Sequence, residues 1–302
     1  MKHVGNQRIM DKEMTELYSK HDSIEKWDLD ISPKKKWFDL QLLDLWRYRD
    51  LIKLFVWRDF VAGYKQTILG PIWYVIGPIL STLVFTVIFS NIAKLSTDGT
   101  PAFLFYLAGN TVWSYFAGCF LATSNTFVSN AGIFGKVYFP RMSVPISVVI
   151  SNIISFGIRL GVFVFIWVYY LLTGSTVHPS IWILLLPILL LLMASMGLGF
   201  GIIVSSLTTK YRDLQQLVGF GVQLLMYLSP VIYPISSVDG LWRWLILANP
   251  MTPIVEIFRL SFFGVSSLNP IWLIYTFCFS IAVMFIGLLL FNHTESSFMD
   301  TV

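Results

Sequence analysis

Residues 160–209, LGVFVFIWVYYLLTGSTVHPSIWILLLPILLLLMASMGLGFGIIVSSLTT, run for fifty positions without an Asp, Glu, Lys or Arg. No soluble core explains such a run. A helix crosses the hydrocarbon of a bilayer with about 20 apolar residues, so the stretch reads as two crossings and the turn between them. The rest of the chain agrees. Of its 302 residues, 56% are apolar and 13% charged, against roughly 25% charged in ordinary soluble domains. The charges crowd at one end: residues 1–66 hold 13 Lys/Arg and 11 Asp/Glu, and the remainder hold 8 and 6. Collagen-like, disordered, disulfide-scaffold and compact soluble classes are excluded. The fold class is an all-α polytopic membrane protein.

The net charge of +4 divides evenly, 13 − 11 = +2 before residue 67 and 8 − 6 = +2 after it. That is too weak for nucleic-acid binding, which needs a clustered basic surface. Cys119 and Cys278 both lie in apolar stretches and read as small buried hydrophobes, with no disulfide framework. The N-terminus has no short apolar segment of the secretory kind, so the first span is expected to do the targeting.

Outward from the deciding run, six segments are long and apolar enough to span: about 70–93, 102–124, 144–172, 180–206, 214–234 and 271–291. The loops orient them. Lys136 and Arg141 follow the second span, and Lys210 and Arg212 the fourth; the loops after the first and third hold only Lys94. The positive-inside rule then puts residues 1–69, 125–143 and 207–213 in the cytoplasm. Segment 235–270 differs, because it carries Asp239, Arg243, Glu256 and Arg259 and is broken at Asn249-Pro250 and Pro253. It is expected to form two short helices that dip in from the outer side and return, where backbone must be buried in protein or line a hydrated cavity. The rival reading is one interrupted crossing.

Before the spans, residues 1–40 read as a polar cytoplasmic extension with Lys34-Lys35-Lys36 after Pro33. Residues 41–66 form an amphipathic helix. Leu45, Tyr48, Ile52, Phe55 and Val56 share one face, and Arg47, Asp50, Lys53 and Arg58 the other. The separation is imperfect: Arg49 and Asp59 intrude on the first, Trp46, Leu54 and Trp57 on the second. Such a helix lies at the membrane surface or packs on protein. Residues 67–302 are the transmembrane domain.

Several chemistries are missing. No G-x-x-x-x-G-K-[ST] loop is present, and Gly132-Ile133-Phe134-Gly135-Lys136-Val137 has the wrong spacing for one. His3, His21, His178 and His293 are scattered outside the spans, which argues against a catalytic or metal cluster. There is no G-x-S-x-G elbow, and no carboxylate pair of the kind used in proton relays lies in a span.

What is present is suggestive in three places. Arg159 sits near the middle of the third span between Gly157 and Gly161. A charge at that depth costs at least roughly 2.5–3.5 kcal/mol on insertion scales. It either lines a hydrated path and meets an anionic substrate, or bonds to carbonyls of helices packed closely at the glycines. Gly197 and Gly201 in the fourth span read as helix packing. Aromatic residues beside helix breaks, Trp73 and Tyr74 between Pro71 and Pro78, and Tyr227 and Tyr233 around Pro230, suit sugar faces and hydroxyls, although belt positions account for most aromatics. The loop Gly135-Lys136-Val137-Tyr138-Phe139-Pro140-Arg141 mixes exposed rings with basic groups, as a protein docking surface or a membrane anchor would.

Taken in order, the amphipathic helix, Tyr64-Lys65-Gln66-Thr67-Ile68-Leu69-Gly70-Pro71-Ile72-Trp73, Lys136-Val137-Tyr138-Phe139-Pro140-Arg141 with Pro145, Tyr211-Arg212-Asp213 and Asn249-Pro250-Met251-Thr252-Pro253 resemble the membrane subunit of bacterial ABC exporters for surface polysaccharides. These are the O-antigen, capsule and teichoic-acid permeases, and the resemblance covers about 40–300. It implies a channel-forming homodimer in the bacterial inner membrane, N-terminus cytoplasmic, exporting a lipid-linked polysaccharide, O-antigen first among them. Two separate ATPase subunits would carry ATP and Mg; this chain itself would hold no cofactor and catalyse nothing.

By that resemblance Trp46, Arg47 and Arg58, with Gly135, Lys136, Tyr138, Phe139, Pro140 and Arg141, form the ATPase-coupling interface. Trp73, Tyr74, Arg159, Tyr227 and Tyr233 belong to the substrate pathway, and Asn249, Pro250, Glu256 and Arg259 to the periplasmic gate. A hydroxyl-rich polymer needs a closed polar conduit through hydrocarbon, and two chains meeting at an interface open wider than one six-helix bundle. Two other readings stand beside this one. A membrane glycosyl- or acyltransferase would rely on Asp213, Glu256 or His178. An ABC permease for a small lipid or drug would have the same architecture.

Overall fold

The computed structural model describes residues 42–298, apart from Tyr64, Gln66, Leu69, Gly135, Tyr138, Thr209–Arg212 and Ser267. The expectations for residues 1–40, and those resting on Gly135, Tyr138, Lys210 and Arg212, fall outside the described residues. Among the described residues the fold is all-helical. Its elements are α1 (Leu42–Arg47), α2 (Arg49–Ala62), α3 (Trp73–Phe85, continued by a π-helical stretch Thr86–Ile92), α4 (Ala102–Ser124), α5 (Thr126–Phe134) and α6 (Ser143–Leu172). They continue with α7 (Leu186–Thr208), α8 (Leu214–Tyr227), α9 (Gly240–Leu247), α10 (Met251–Phe263) and α11 (Trp272–Phe298).

Among the described residues four helical stretches are long and apolar enough to cross a membrane: Trp73–Ile92, Ser143–Leu172, Ile181–Thr208 and Trp272–Thr294. Two of the six expected spans miss that standard for different physical reasons. α4 has the expected ends and 23 residues, but Asn110, Thr111 and Ser114 interrupt its apolar character. It compensates by burial. Sixteen of its residues are buried, and α3, α6, α7, α8 and α10 all pack on it. Asn110 Nδ2 donates to Ser81 Oγ of α3 at 2.8 Å, Thr111 Oγ1 donates to Leu107 O and Ser114 Oγ to Asn110 Oδ1, so these three polar residues are met by protein. α8 ends at Tyr227, after 14 residues, about 21 Å of helix. The chain then turns at Ser229-Pro230, where proline cannot continue the ladder.

Glycines set the tightest packing. A Cβ on Gly197 of α7 would lie 2.6 Å from Cys119 Cβ of α4, and one on Gly199 would lie 2.9 Å from Val283 Cγ1 of α11. Side chains at these positions would push the helices apart, so α7 is held between α4 and α11 by its small residues.

The segment after α8 is a bent pair. α9 and α10 meet at 89° across Asn249-Pro250. Asn249 stabilises the corner by donating to Ser229 Oγ at 2.8 Å and accepting from the Met251 amide at 3.0 Å. Carbonyls freed at the bend are taken up by α11: Tyr275 Oη donates to Ala248 O at 2.6 Å and Thr276 Oγ1 to Pro250 O at 3.1 Å. Twelve of the 13 residues of α10 are buried. Phe258, Phe262 and Phe263 pack around Phe163 of α6, and Trp167 Nε1 donates to Phe262 O at 2.8 Å. α10 ends at Gly264, whose φ of 73° is the left-handed cap geometry.

Candidate functional site

The expected single amphipathic helix is two, broken at Tyr48. α2 rests on α6, burying Phe55, while Trp46, Leu54 and Trp57 are more than 60% exposed. The segment thus turns an aromatic face away from the rest of the chain. Arg47 is exposed beside Trp46. Asp50 accepts from Lys53 Nζ at 2.9 Å, and this bond with the adjacent ammonium holds its carboxyl below the usual carboxylate range. The pair is fully in solvent, so it adds little stability.

The loop after α5 departs from expectation. Lys136 is exposed, but Phe139, Pro140 and Arg141 are buried. The Phe139 ring meets Phe55 of α2 and Phe134 of α5, both at 5.8 Å between centroids, and Arg141 lies over Phe134 at 5.6 Å. An aromatic ring beside basic residues looked like exposed docking surface; here burying it against α2 recovers its hydrophobic free energy. The consequence is mechanical: α2, α5 and this loop form one packed block.

Beneath that block lies a cavity of about 540 Å³. α6 contributes Val148, Ser151, Asn152, Ser155 and Arg159, one face of the helix over about three turns; Ser114 and Gly118 line it from α4, and Asn125 from just past the end of that helix. Gly118 is the close approach, because a Cβ there would lie 2.6 Å from Asn152 Oδ1. Arg58, Asp59 and Ala62 of α2 and Tyr74 of α3 also line it. Tyr74 stacks on Phe60 at 6.1 Å. Arg58 bonds to Asp59 Oδ1 at 2.8 Å and covers the Phe55 ring at 4.7 Å. Four atoms of lining residues are buried without a hydrogen-bond partner: Asp59 Oδ2, Tyr115 Oη, Thr126 Oγ1 and Arg159 Nε. The packed-glycine account of Arg159 does not hold: a Cβ on Gly157 or Gly161 meets nothing within 4 Å. Two residues is about 200° of helix, so both glycines face away from the arginine.

The other pathway residues are dispersed. Trp73 is exposed at the start of α3, and Tyr227 is exposed at the end of α8. Tyr233 is half-buried, and its hydroxyl donates to Tyr227 O at 3.0 Å. Sequence reasoning missed Gln216 and Gln223. Both are exposed on α8 in line with Tyr227, within about 40° of arc, and the spacing of seven then four was the signal. Reasoning from single residues also missed Asn125, Asn152 and Ser155, which reveal nothing until α4 and α6 pair.

At the bent pair, Glu256 and Arg259 are buried together at 3.3 Å. Arg259 also donates to Pro230 O at 2.6 Å and Val231 O at 2.9 Å, and lies 3.5 Å over the Phe105 ring of α4. Ser266 Oγ donates to the second oxygen of Glu256 at 3.1 Å. With Asn249 and Pro250 at the corner, these groups brace α10 against the turn after α8. The candidates for a transferase do not gather: Asp213 and His178 are exposed on separate elements, and Glu256 is committed to Arg259. Among the described residues no group of three or more His, Cys, Asp or Glu is placed to hold a metal.

A helical protein with several membrane spans, a polar cavity under a surface helix and a polar stripe on a nearly uncovered helix is built for membrane transport. The chain belongs to the ABC-2 type transporter membrane family, which it matches over residues 50–263, and is a multi-pass inner-membrane protein. It is 28% identical over 253 residues to the O-antigen export system permease protein RfbA of Klebsiella pneumoniae, covering 83% of this chain and 94% of that one. The RfbA of Myxococcus xanthus is 28% identical over 222 residues, 73% of this chain and 83% of that one. The polysialic acid transport protein KpsM of Escherichia coli is 22% identical over 246 residues, 81% and 93% of the two chains.

Proposed function

We propose that this chain is the channel-forming subunit of an ABC transporter that exports a lipid-linked polysaccharide, O-antigen in the first instance, across the bacterial inner membrane. The observation that carries the reading is the outer face of α8. Only Val222 of this helix is buried, yet Gln216, Gln223 and Tyr227 line up on its exposed side. Amides facing hydrocarbon are costly, so the stripe is best met by water and glycan hydroxyls. α3 is equally uncovered, with only Pro78 and Thr82 buried, and both helices flank α4. A second copy meeting these faces would enclose a conduit, with Trp73, Tyr227 and Tyr233 as sugar contacts.

The topology that fits has six spans, counting α4 and α8 with the four apolar stretches, a cytoplasmic N-terminus, and α9–α10 as a re-entrant gate at the outer side. Asn249 and Pro250 form its corner and Glu256–Arg259 its brace. Two ATPase subunits, carrying ATP and Mg, would dock on the exposed face of α1 and α2, around Trp46, Arg47 and Arg58, and on the loop holding Gly135, Lys136 and Tyr138. Phe139, Pro140 and Arg141 would pass the displacement inward, since a packed block moves as a unit.

The test is co-expression with the adjacent ATPase in a strain lacking its own permease. A stable complex and restored surface polysaccharide are expected, with Gln216→Leu/Gln223→Leu still assembling but losing export. No ATPase binding would sink the transporter assignment, and undiminished export by the double variant would remove α8 from the channel.

A further inference from the structure

Three connections meet on the side proposed above as outer: the loop from α3 to α4, the loop from α6 toward α7, and the turn from α8 to α9. The first carries Asp98-Gly99. Both residues have positive φ, 50° and 76°, as at the centre of a type I′ turn. Thr97 and Thr100 fix that turn. The Thr100 amide donates to Thr97 O at 3.0 Å, and each threonine hydroxyl donates to the other residue's carbonyl, at 2.7 and 2.6 Å. Aspartate tolerates the left-handed conformation, so the turn stands preformed. It grips two neighbours. Ser236 Oγ lies 2.8 and 2.9 Å from the two Asp98 carboxylate oxygens, and Thr176 Oγ1 donates to Gly99 O at 2.9 Å.

The two halves of the bent pair are held differently. α10 belongs to the main core and is braced by Glu256–Arg259. Its end is also tied to the loop before α7, where the Ser180 amide donates to Ser261 O at 2.9 Å and the His178 amide to Phe263 O at 3.3 Å. α9 sits on a core of its own. Its Ile246 and Leu247 bury against Ile235 and Leu268, in a cluster separate from the main one. The opposite face, Leu241, Trp242, Trp244 and Leu245, is exposed. A satellite cluster of this kind opens at lower free energy than the core beside it. Asn249, Thr252 and Tyr275 fasten the C-terminal end of α9. Asp98 ties down its entry through Ser236.

We infer that residues 235–247 are a flap over the outer end of the conduit, hinged at Asn249-Pro250 and latched shut by Asp98 on Ser236, while α10 stays in place as its seat. The inference rests on the polysaccharide-export reading and deepens the gate named there: it says which half moves and what holds it. The latch is of a kind that releases. Asp98 is half-buried and Ser236 exposed, so water takes over the carboxylate oxygens when the hydroxyl leaves, and no charge is stranded. The buried Glu256–Arg259 pair has no such exchange, which is why the brace belongs to the half that stays. Lifting the flap uncovers its underside, Ile246 and Leu247.

The experiment uses the full chain with its ATPase in spheroplasts, where a membrane-impermeant maleimide reaches the outer face alone. The labelling rate of Leu247→Cys is measured in a Cys278→Ser background, with Ile254→Cys on α10 as the control. Should Leu247→Cys fail to accumulate, Ile246→Cys reads the same underside. Asp98→Ala and Ser236→Ala are each expected to speed labelling of Leu247→Cys about tenfold. The double variant should go no faster than either, because both remove one contact, and Ser236→Thr should keep the original rate. Ile254→Cys should stay slow throughout. In the latched protein a hydrolysis-dead ATPase should slow labelling of Leu247→Cys further. An unchanged rate in both latch variants overturns the latch. Equal acceleration of Leu247→Cys and Ile254→Cys overturns the flap, since both halves then open together. Indifference to the ATPase mutation overturns its part in export, and labelling only in lysed cells overturns its place at the outer end. If the latch variants behave as expected but no ATPase binds the chain, the transporter reading fails and the latch stands.

Discussion

Replacing Arg259 by Met removes a buried cation while keeping the length of the side chain. Arg259 and Glu256 are 3% and 4% exposed, so neither charge has water to fall back on. In Arg259→Met the Glu256 carboxylate keeps only the Ser266 hydroxyl, and the carbonyls of Pro230 and Val231 lose their donors. Breaking a buried pair from one side costs about 3–5 kcal/mol; the orphaned carbonyls, at about 1–3 kcal/mol each, overlap with that figure rather than add to it. The expectation is therefore roughly two to nearly four powers of ten in the folding equilibrium. Glu256→Gln is the contrast. It leaves Arg259 its two carbonyls and the face of Phe105, so about 1–2 kcal/mol is expected. The assay is reversible unfolding in mixed micelles with rising SDS fraction, followed by near-UV circular dichroism of the tryptophans. A cost for Arg259→Met at or below that of Glu256→Gln would refute the reasoning, because the guanidinium would then not be what holds α10 to the turn after α8.

Two further outcomes follow from packing. Gly197→Ala forces α4 and α7 apart against backbone at 3.3 Å as well as Cys119, and should cost about 1–3 kcal/mol in the same unfolding assay; a neutral result would mean the helices separate freely. Phe55→Ala and Trp57→Ala are neighbours on α2 with opposite expectations. The first empties a buried site and loses about 3–5 kcal/mol, whereas the second leaves stability within about 0.5 kcal/mol while weakening retention of the ATPase in a pull-down at least tenfold.

The features legible in sequence were those that repeat along one helix. Charge starvation exposed the apolar spans, and Ala102–Ser124 has the ends its composition predicts. The bend at Asn249-Pro250 was visible because proline breaks the ladder locally. By contrast, α8 stops at Tyr227 rather than near residue 234 because Ser229-Pro230 turns the chain, and an apolar window does not register that. Phe139 and Arg141 looked exposed because their partners Phe55 and Phe134 lie elsewhere in the chain. The cavity was illegible for the same reason: Arg58, Asn125 and Arg159 become a set only after α2, α4 and α6 are packed. Gln216 and Gln223 were within reach, since their spacing needs no tertiary information.

The burial of α4 bears on how the protein is made. A helix with Asn110, Thr111 and Ser114 near its middle is a poor candidate for partitioning into lipid alone, and its largest packing partner, α7, is synthesised some sixty residues later. When α4 leaves the ribosome the surfaces that shelter it do not yet exist. On the six-span topology proposed above, its integration would depend on retention at the insertion machinery until α6 and α7 arrive, and a chain truncated before α7 is expected to be degraded faster than the full chain in a pulse-chase experiment.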